Sequence, residues 1–76
     1  MTVRNRRYYV HGREVPRREA LDDWLRAAAD AGWVKLAARR TFEAAEDFLR
    51  GKPGELAQAQ RDIATAGVVI TGVEGQ

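Results

Sequence analysis

The sequence predicts a small α+β fold, in which an N-terminal β-hairpin and a C-terminal strand share one sheet and three helices pack on it. Three observations predict this fold class. Strand-like residues flank a His-Gly pair near the N-terminus, three stretches carry apolar residues at helical spacing, and a β-branched run follows the third stretch. With 76 residues, we expect one compact domain over 1–76, with 1–5 and 72–76 frayed.

The predicted hairpin runs from Arg6 to Val15 and turns at His11-Gly12. A two-residue turn decides which residues lie opposite one another: Val10 and Arg13, Tyr9 and Glu14, Tyr8 and Val15. Strand alternation then divides the side chains between a core face (Tyr8, Val10, Val15) and a solvated face (Arg7, Tyr9, Glu14). His11 is expected to be an exposed turn residue.

The first predicted helix begins at Pro16, which suits a first helical turn, and stops at Gly32. Its apolar stripe is Ala20, Leu21, Trp24, Leu25 and Ala28. Trp24 therefore belongs to the core. Trp33 comes directly after the stop, where it either caps the core or protrudes.

A second helix is predicted from Val34 to Arg50, ending at Gly51, on the apolar series Val34, Ala38, Phe42, Ala45, Phe48 and Leu49. The alternative makes residues 33–37 a short strand, with Thr41 capping a shorter helix. The alanine-rich middle favours the helix.

Residues 51–54 are predicted to form a turn, since Gly51-Lys52-Pro53-Gly54 lacks the pattern of a phosphate-binding loop. A third helix is predicted on the stripe Leu56, Ala59, Ile63 and Ala66, ending at Gly67. The run Val68-Val69-Ile70-Thr71 is apolar on both faces, which is typical of a covered inner strand with neighbours on both edges.

Composition argues against catalysis. The chain has no cysteine, no serine and a single histidine, so the usual nucleophile and histidine arrangements cannot be assembled. A zinc site has too few ligands, because His11 has no second imidazole or thiolate to join it. Thirteen of the hydrophobic residues are alanine, so few large side chains remain to line a cleft that would shift a carboxyl pKa. We therefore expect no enzyme, no metal and no cofactor.

Positive charge is concentrated in the first twenty residues, which carry a net charge of +4 against −2 for the remainder. We take the exposed arginines there and one tyrosine as the candidate partner-binding residues: Arg6, Arg7, Tyr9, Arg13, Arg17 and Arg18. Arginine and aromatic side chains are common interface anchors. A second set, Glu43, Glu46 and Asp47 together with Asp22 and Asp23, is expected to form a solvated acidic face pointing away from the hairpin.

These features predict a non-enzymatic interaction module that acts by binding the surface of a larger protein or nucleoprotein. In size and composition the chain is similar in kind to accessory proteins of phages and mobile elements, including small inhibitors of host defence complexes, although no motif carries this likeness. The alternative is nucleic-acid binding through Arg4, Arg6, Arg7, Arg13, Arg17 and Arg18. A homodimer is a third partner class. No membrane span or targeting segment is expected, which makes the cytoplasm the default location.

Overall fold

The computed structural model describes residues 6–46 and 53–72, with side chains for all of these except 53–55, and it confirms the α+β class. The elements are β1 (Arg7–Val10), β2 (Arg13–Val15), α1 (Arg17–Asp30), α2 (Lys35–Glu46), α3 (Pro53–Ala64) and β3 (Val68–Thr71). The strands form an antiparallel sheet in the order β2-β1-β3. Helices α1 and α3 pack against one of its faces, and α2 packs against both of these helices. Of the segments expected to fray, 1–5 and 72–76, all but residue 72 lie outside the described residues.

The hairpin has the predicted register, with Tyr8 opposite Val15 and Val10 opposite Arg13. His11 and Gly12 both have positive φ, at 51° and 82°, which is the backbone of the tight turn that suits strand twist. Of the predicted core face, Tyr8, Val10 and Val15 are all buried. The turn and the alternation together were therefore enough to orient both strands.

Strand β3 corrects one prediction. It pairs with β1 alone, so within the described residues it is an edge strand and not a covered inner one. Val68 and Ile70 are buried against the helices, whereas Val69 is 47% exposed on the other face. A three-stranded sheet has a single inner strand, and here the hairpin's first strand takes that position.

The backbone turn at the end of α1 directs Trp33 toward the core. The amide of Trp33 donates to the carbonyl of Ala28 at 2.9 Å, and Gly32 has a φ of 90°, which is the geometry of a Schellman stop. The chain turns so that the Trp33 ring meets Trp24 edge to face, with ring centroids 5.2 Å apart. Trp33 is half-buried and caps the core, which settles the choice between capping and protruding.

Helix α2 is confirmed, and the strand alternative for residues 33–37 is wrong, because Lys35 already begins the helix. Val34 was predicted to open the apolar stripe, yet it precedes the helix and is 71% exposed; only its carbonyl takes part, accepting from the amide of Ala38 at 3.0 Å. The predicted end at Arg50 and Gly51, with Phe48 and Leu49, lies outside the described residues.

Helix α3 begins earlier than predicted. Pro53 and Gly54, which were assigned to a turn, form its first residues, since proline is readily accommodated where amides have no helical partner. The helix ends at Ala64, so Ala66 lies in the following turn, half-buried against the core.

The core is a layer between the sheet and the helices. Among the described residues, its largest fully buried side chains are Trp24, Phe42, Ile63 and Val68. Trp24 joins two helices directly, since its indole Nε1 donates to the carbonyl of Ala38 at 2.8 Å. Buried alanines let α1, α2 and α3 approach closely, at positions 20, 28, 38, 45 and 59.

The hairpin turn is held to the start of β3. The His11 amide donates to the carbonyl of Gly67 at 2.8 Å. Gly67 has a φ of 79°, and a Cβ there would overlap the imidazole ring of His11. Glycine is required at this position both for its backbone conformation and for the close approach of the ring.

We predict that Trp24→Ala destabilises the fold by about 3–5 kcal/mol, because the change leaves a large cavity and removes the bond to Ala38. Urea unfolding followed by circular dichroism measures the loss. Leu36→Ala is the matched control, since Leu36 is 59% exposed and its truncation should cost less than about 0.5 kcal/mol. Equal stability of the two variants would contradict the inward orientation of α1.

Candidate functional site

The predicted partner-binding residues do not form one surface. They divide among three environments: Arg6 and Arg17 beside a buried carboxylate, Arg7 and Tyr9 on the uncovered face of the sheet, and Arg13 and Arg18 at the junction of the hairpin with α1. The environments differ in how many of their arginines are free to contact a partner.

The first environment is a polar cluster of Tyr8, Arg17 and Glu46 inside the helix-covered side. The Tyr8 hydroxyl donates to Oε2 of Glu46 at 2.6 Å. Arg17 donates two hydrogen bonds to the same carboxylate, from Nε to Oε2 at 2.9 Å and from Nη2 to Oε1 at 2.6 Å. Its guanidinium also lies 5.4 Å from the ring centroid of Phe42, which in turn stacks on Tyr8.

Charge and hydrogen bonding stabilise the ionised carboxylate in this cluster. Burial on its own would raise the pKa of Glu46, but the hydrogen bonds from Arg17 and Tyr8 and the charges of Arg17 and Arg6 lower it overall. Burial and the bond to Glu46 raise the pKa of Tyr8 to about 12. The bond to Glu46 likewise raises the pKa of Arg17. The three side chains satisfy one another, so the cluster is structural.

Two expectations are corrected by this cluster. Glu46 does not belong to a solvated acidic face, because it is buried and bonded to the hairpin; Asp47 lies outside the described residues. Arg17 was expected to be available to a partner, yet its guanidinium is bonded to the buried Glu46 carboxylate. The available signal was spacing, since Glu46 follows Phe42 by four residues and therefore shares its face of the helix.

The second environment is the face of the sheet that no described helix covers, hereafter the open face. By register and strand alternation it carries Arg7, Tyr9, Glu14, Val69 and Thr71. Tyr9 lies at the centre of β1, directly opposite Val69 on one side and Glu14 on the other. Arg7 is exposed and Tyr9 is half-buried. An aromatic ring, an aliphatic side chain and an arginine therefore lie together in contact with solvent.

The third environment contributes less free charge. Arg13 reaches Glu19 with Nη2 3.3 Å from Oε2, and both side chains are well exposed. Such a surface pair contributes little stability and can be rearranged by a partner. Arg18 is exposed in the first turn of α1.

Sequence reasoning did not single out a further exposed surface at the start of α2. Val34 and Leu36 are exposed large hydrophobic residues, and Lys35 and Arg39 lie beside Leu36. We call these four residues the α2 patch. Its signal was already present, because Leu36 falls outside the helical spacing of Ala38, Phe42 and Ala45.

The described residues hold no group of three or more His, Cys, Asp or Glu side chains arranged to bind a metal ion. Within the same ranges, no helix has the length and apolar character needed to cross a bilayer. Comparison of the chain with known protein families, with curated proteins and with solved structures finds no match.

We predict that Arg17→Ala destabilises the fold by about 1.5–3 kcal/mol, since it leaves the buried Glu46 carboxylate without its charged donor. Arg18→Ala removes the same charge from the next residue and should change stability by less than about 0.5 kcal/mol. Chemical unfolding of both variants measures the difference. If Arg17→Ala were as stable as Arg18→Ala, the pair with Glu46 would not contribute to the fold.

Stability should also fall at both ends of the pH range. The pKa of Glu46 is lowered on folding, so its contribution is complete above its unfolded pKa and is lost as pH falls through the folded value. The pKa of Tyr8 is raised from 10.0 to about 12, so its contribution is complete below 10 and is lost as pH rises toward 12. Unfolding free energies measured across pH should decline less steeply in acid for Glu46→Gln and less steeply in alkali for Tyr8→Phe. Unchanged slopes would contradict the assignment.

Proposed function

We propose that the protein is a non-enzymatic interaction module that binds a larger protein or nucleoprotein through the open face of its sheet. The observation that supports this most directly is the grouping of Arg7, Tyr9 and Val69 on a face that no described helix covers. An inhibitor or regulator of a host complex, as expected for a phage or mobile-element accessory protein, would work through such a surface.

The composition of the open face favours an acidic partner surface with an apolar centre. Tyr9 offers a rigid ring with few rotatable bonds, and Val69 extends the apolar area beside it. Arg7 can form a bidentate pair with a carboxylate or phosphate. Glu14 at the β2 edge adds one group that would repel acidic residues and so limit which partners fit.

The polar cluster of Tyr8, Arg17 and Glu46 does not support a catalytic site among the described residues. Catalytic groups usually lie in a cleft, have a shifted pKa and are free to bond to the substrate. Tyr8, Arg17 and Glu46 have shifted pKa values, but these three side chains bond to one another and present no free acid, base or nucleophile.

Nucleic-acid binding is the second candidate, and one observation favours it. Arg7 and Tyr9 lie close together on the open face, where a ring can stack on a base while a guanidinium contacts phosphate. The number of available cations weakens this candidate. Arg17 is held by Glu46 and Arg13 lies against Glu19, while Arg4 lies outside the described residues.

The test compares two matched double variants. The open-face variant carries Arg7→Glu and Tyr9→Thr, which reverses one charge and removes one large side chain while keeping a strand-forming residue. The control carries Arg39→Glu and Leu36→Ala in the α2 patch. The full chain is immobilised and used to capture a partner from a lysate of cells that naturally produce the chain. The affinity of each variant is then measured with the purified partner. The open-face variant should bind about 30-fold or more weakly, equivalent to the removal of one anchor of about 2 kcal/mol.

If the control variant fails to bind the partner and the open-face variant still binds it, the α2 patch is the binding surface and the proposal is wrong. A parallel measurement uses labelled single-stranded and duplex oligonucleotides at low salt. The nucleic-acid candidate predicts binding whose slope of log affinity against log salt falls by about 0.7–0.9 for each phosphate-binding arginine removed, in Arg6→Ala and in Arg7→Ala. Absence of binding at low salt would remove this candidate.

A further inference from the structure

The outer edge of β3 carries an unusual sequence for its position. No described strand pairs with this edge, yet Val68–Thr71 contains no charged residue and no proline. Natural edge strands commonly carry a charge, a proline or a bulge, because an unprotected apolar edge pairs with other strands. The composition of β3 is that of an inner strand, which indicates a neighbour on its second side.

The backbone groups available to that neighbour can be assigned. Gly67 accepts a bond from His11, and Val69 lies opposite Tyr9, so the odd-numbered residues of this segment direct their backbone groups toward the hairpin. Antiparallel pairing alternates from residue to residue. The amides and carbonyls of Val68 and Ile70 therefore face outward.

The surroundings of this edge restrict its partner. A groove runs beside β3, lined by the strand and by Gln60, Ile63 and Ala64 of α3. Every described residue that lines it is uncharged, in a chain of which 32% is charged. A charged partner would leave its charges without counterions there, whereas an uncharged strand edge would fit. The same edge of a second copy is both uncharged and a strand edge.

We infer that two copies of the chain associate along β3, joining their sheets into one antiparallel sheet of six strands. The two copies are related by a two-fold axis perpendicular to the sheet, so the same residues face one another across the interface. The register that uses all the outward groups pairs Val68 of one copy with Ile70 of the other. It places the two Val69 side chains directly opposite each other at the axis, on the side of the open face.

This arrangement goes beyond the proposed function and has a separate readout. The two open faces would lie side by side on the same side of the dimer, so that Arg7 and Tyr9 are each presented twice. Failure to dimerise would leave the proposed partner binding untouched. Loss of partner binding would in turn say nothing about the mass of the free protein.

The experiment is sedimentation equilibrium of the full chain over a wide concentration range, since the mass of a dimer depends on concentration. The unmodified chain should reach twice its monomer mass. Val69→Lys and Val69→Glu, each measured alone, place like charges opposite one another and should raise the dimer Kd at least about tenfold. An equimolar mixture of these two variants should recover the dimer, because opposite charges then meet at the axis.

The matched control is Val34→Lys, which makes the same change at an exposed valine of the α2 patch and should leave the dimer Kd unchanged. Circular dichroism checks that every variant is folded. Hydrogen exchange on the unmodified chain needs no variant, and the amides of Val68 and Ile70 should gain protection as concentration rises.

Three results would overturn the inference. The unmodified chain could remain a monomer at every concentration. The Val69 variants could dimerise as well as the unmodified chain, with their mixture no tighter than either alone. The mass could double without any gain of protection at Val68 and Ile70, which would place the interface elsewhere.

Discussion

The Glu46 carboxylate is the group on which the arrangement of the strands and helices depends. It comes from α2, and it accepts hydrogen bonds from Tyr8 of β1 and from Arg17 at the start of α1. Sheet, first helix and second helix are thus joined at one residue. A buried carboxylate is costly unless it is paired and fully hydrogen-bonded, so all three elements must be correctly placed before the arrangement is favourable. The cluster therefore favours one packing of the helices over others.

The apolar contacts around this cluster compensate for a core with few large side chains. Phe42 stacks on Tyr8 at 6.0 Å and also receives the guanidinium of Arg17, so one ring contributes to apolar packing and to charge stabilisation. On the other side of the core, Trp24 combines edge-to-face packing with Trp33 and a hydrogen bond to α2. Aromatic residues with several partners supply here what a larger domain obtains from many aliphatic side chains.

The sequence was most informative where structure is determined by neighbours along the chain. The hairpin register followed from a two-residue turn at His11-Gly12, and α1 from its apolar stripe with Gly32 as a stop. It was least informative about contacts between distant segments. Tyr8 was correctly assigned to the core, but the partner of its hydroxyl is 38 positions away, and nothing local in the chain identifies α2 as the helix that supplies it.

The candidate site divides in the same way. Arg7 and Tyr9 were correctly placed on the solvated side of the hairpin by alternation alone. Arg17 has the same local character as Arg18, and only the position of Glu46 distinguishes the two. The apolar composition of β3 correctly indicated a strand. Its place in the sheet depends on how many strands the sheet has, and the residue pattern of one strand does not give that number. Charge counted along the sequence overestimates the charge available to a partner, because pairing depends on the fold.

The contact between the hairpin turn and Gly67 has a consequence for the order of folding. It joins the beginning of β3 to a hairpin from which it is separated by all three helices. Within residues 6–46 and 53–72, the pairing of β1 with β3 therefore joins strands that lie far apart in the sequence. Closing so long a segment of unfolded chain carries a large entropic cost, whereas the hairpin and each helix form from neighbouring residues. We therefore expect the hairpin and the helices to form before β3 docks on β1. Because Val68 and Ile70 of β3 are core residues, the step that creates this strand edge is also the step that completes the core.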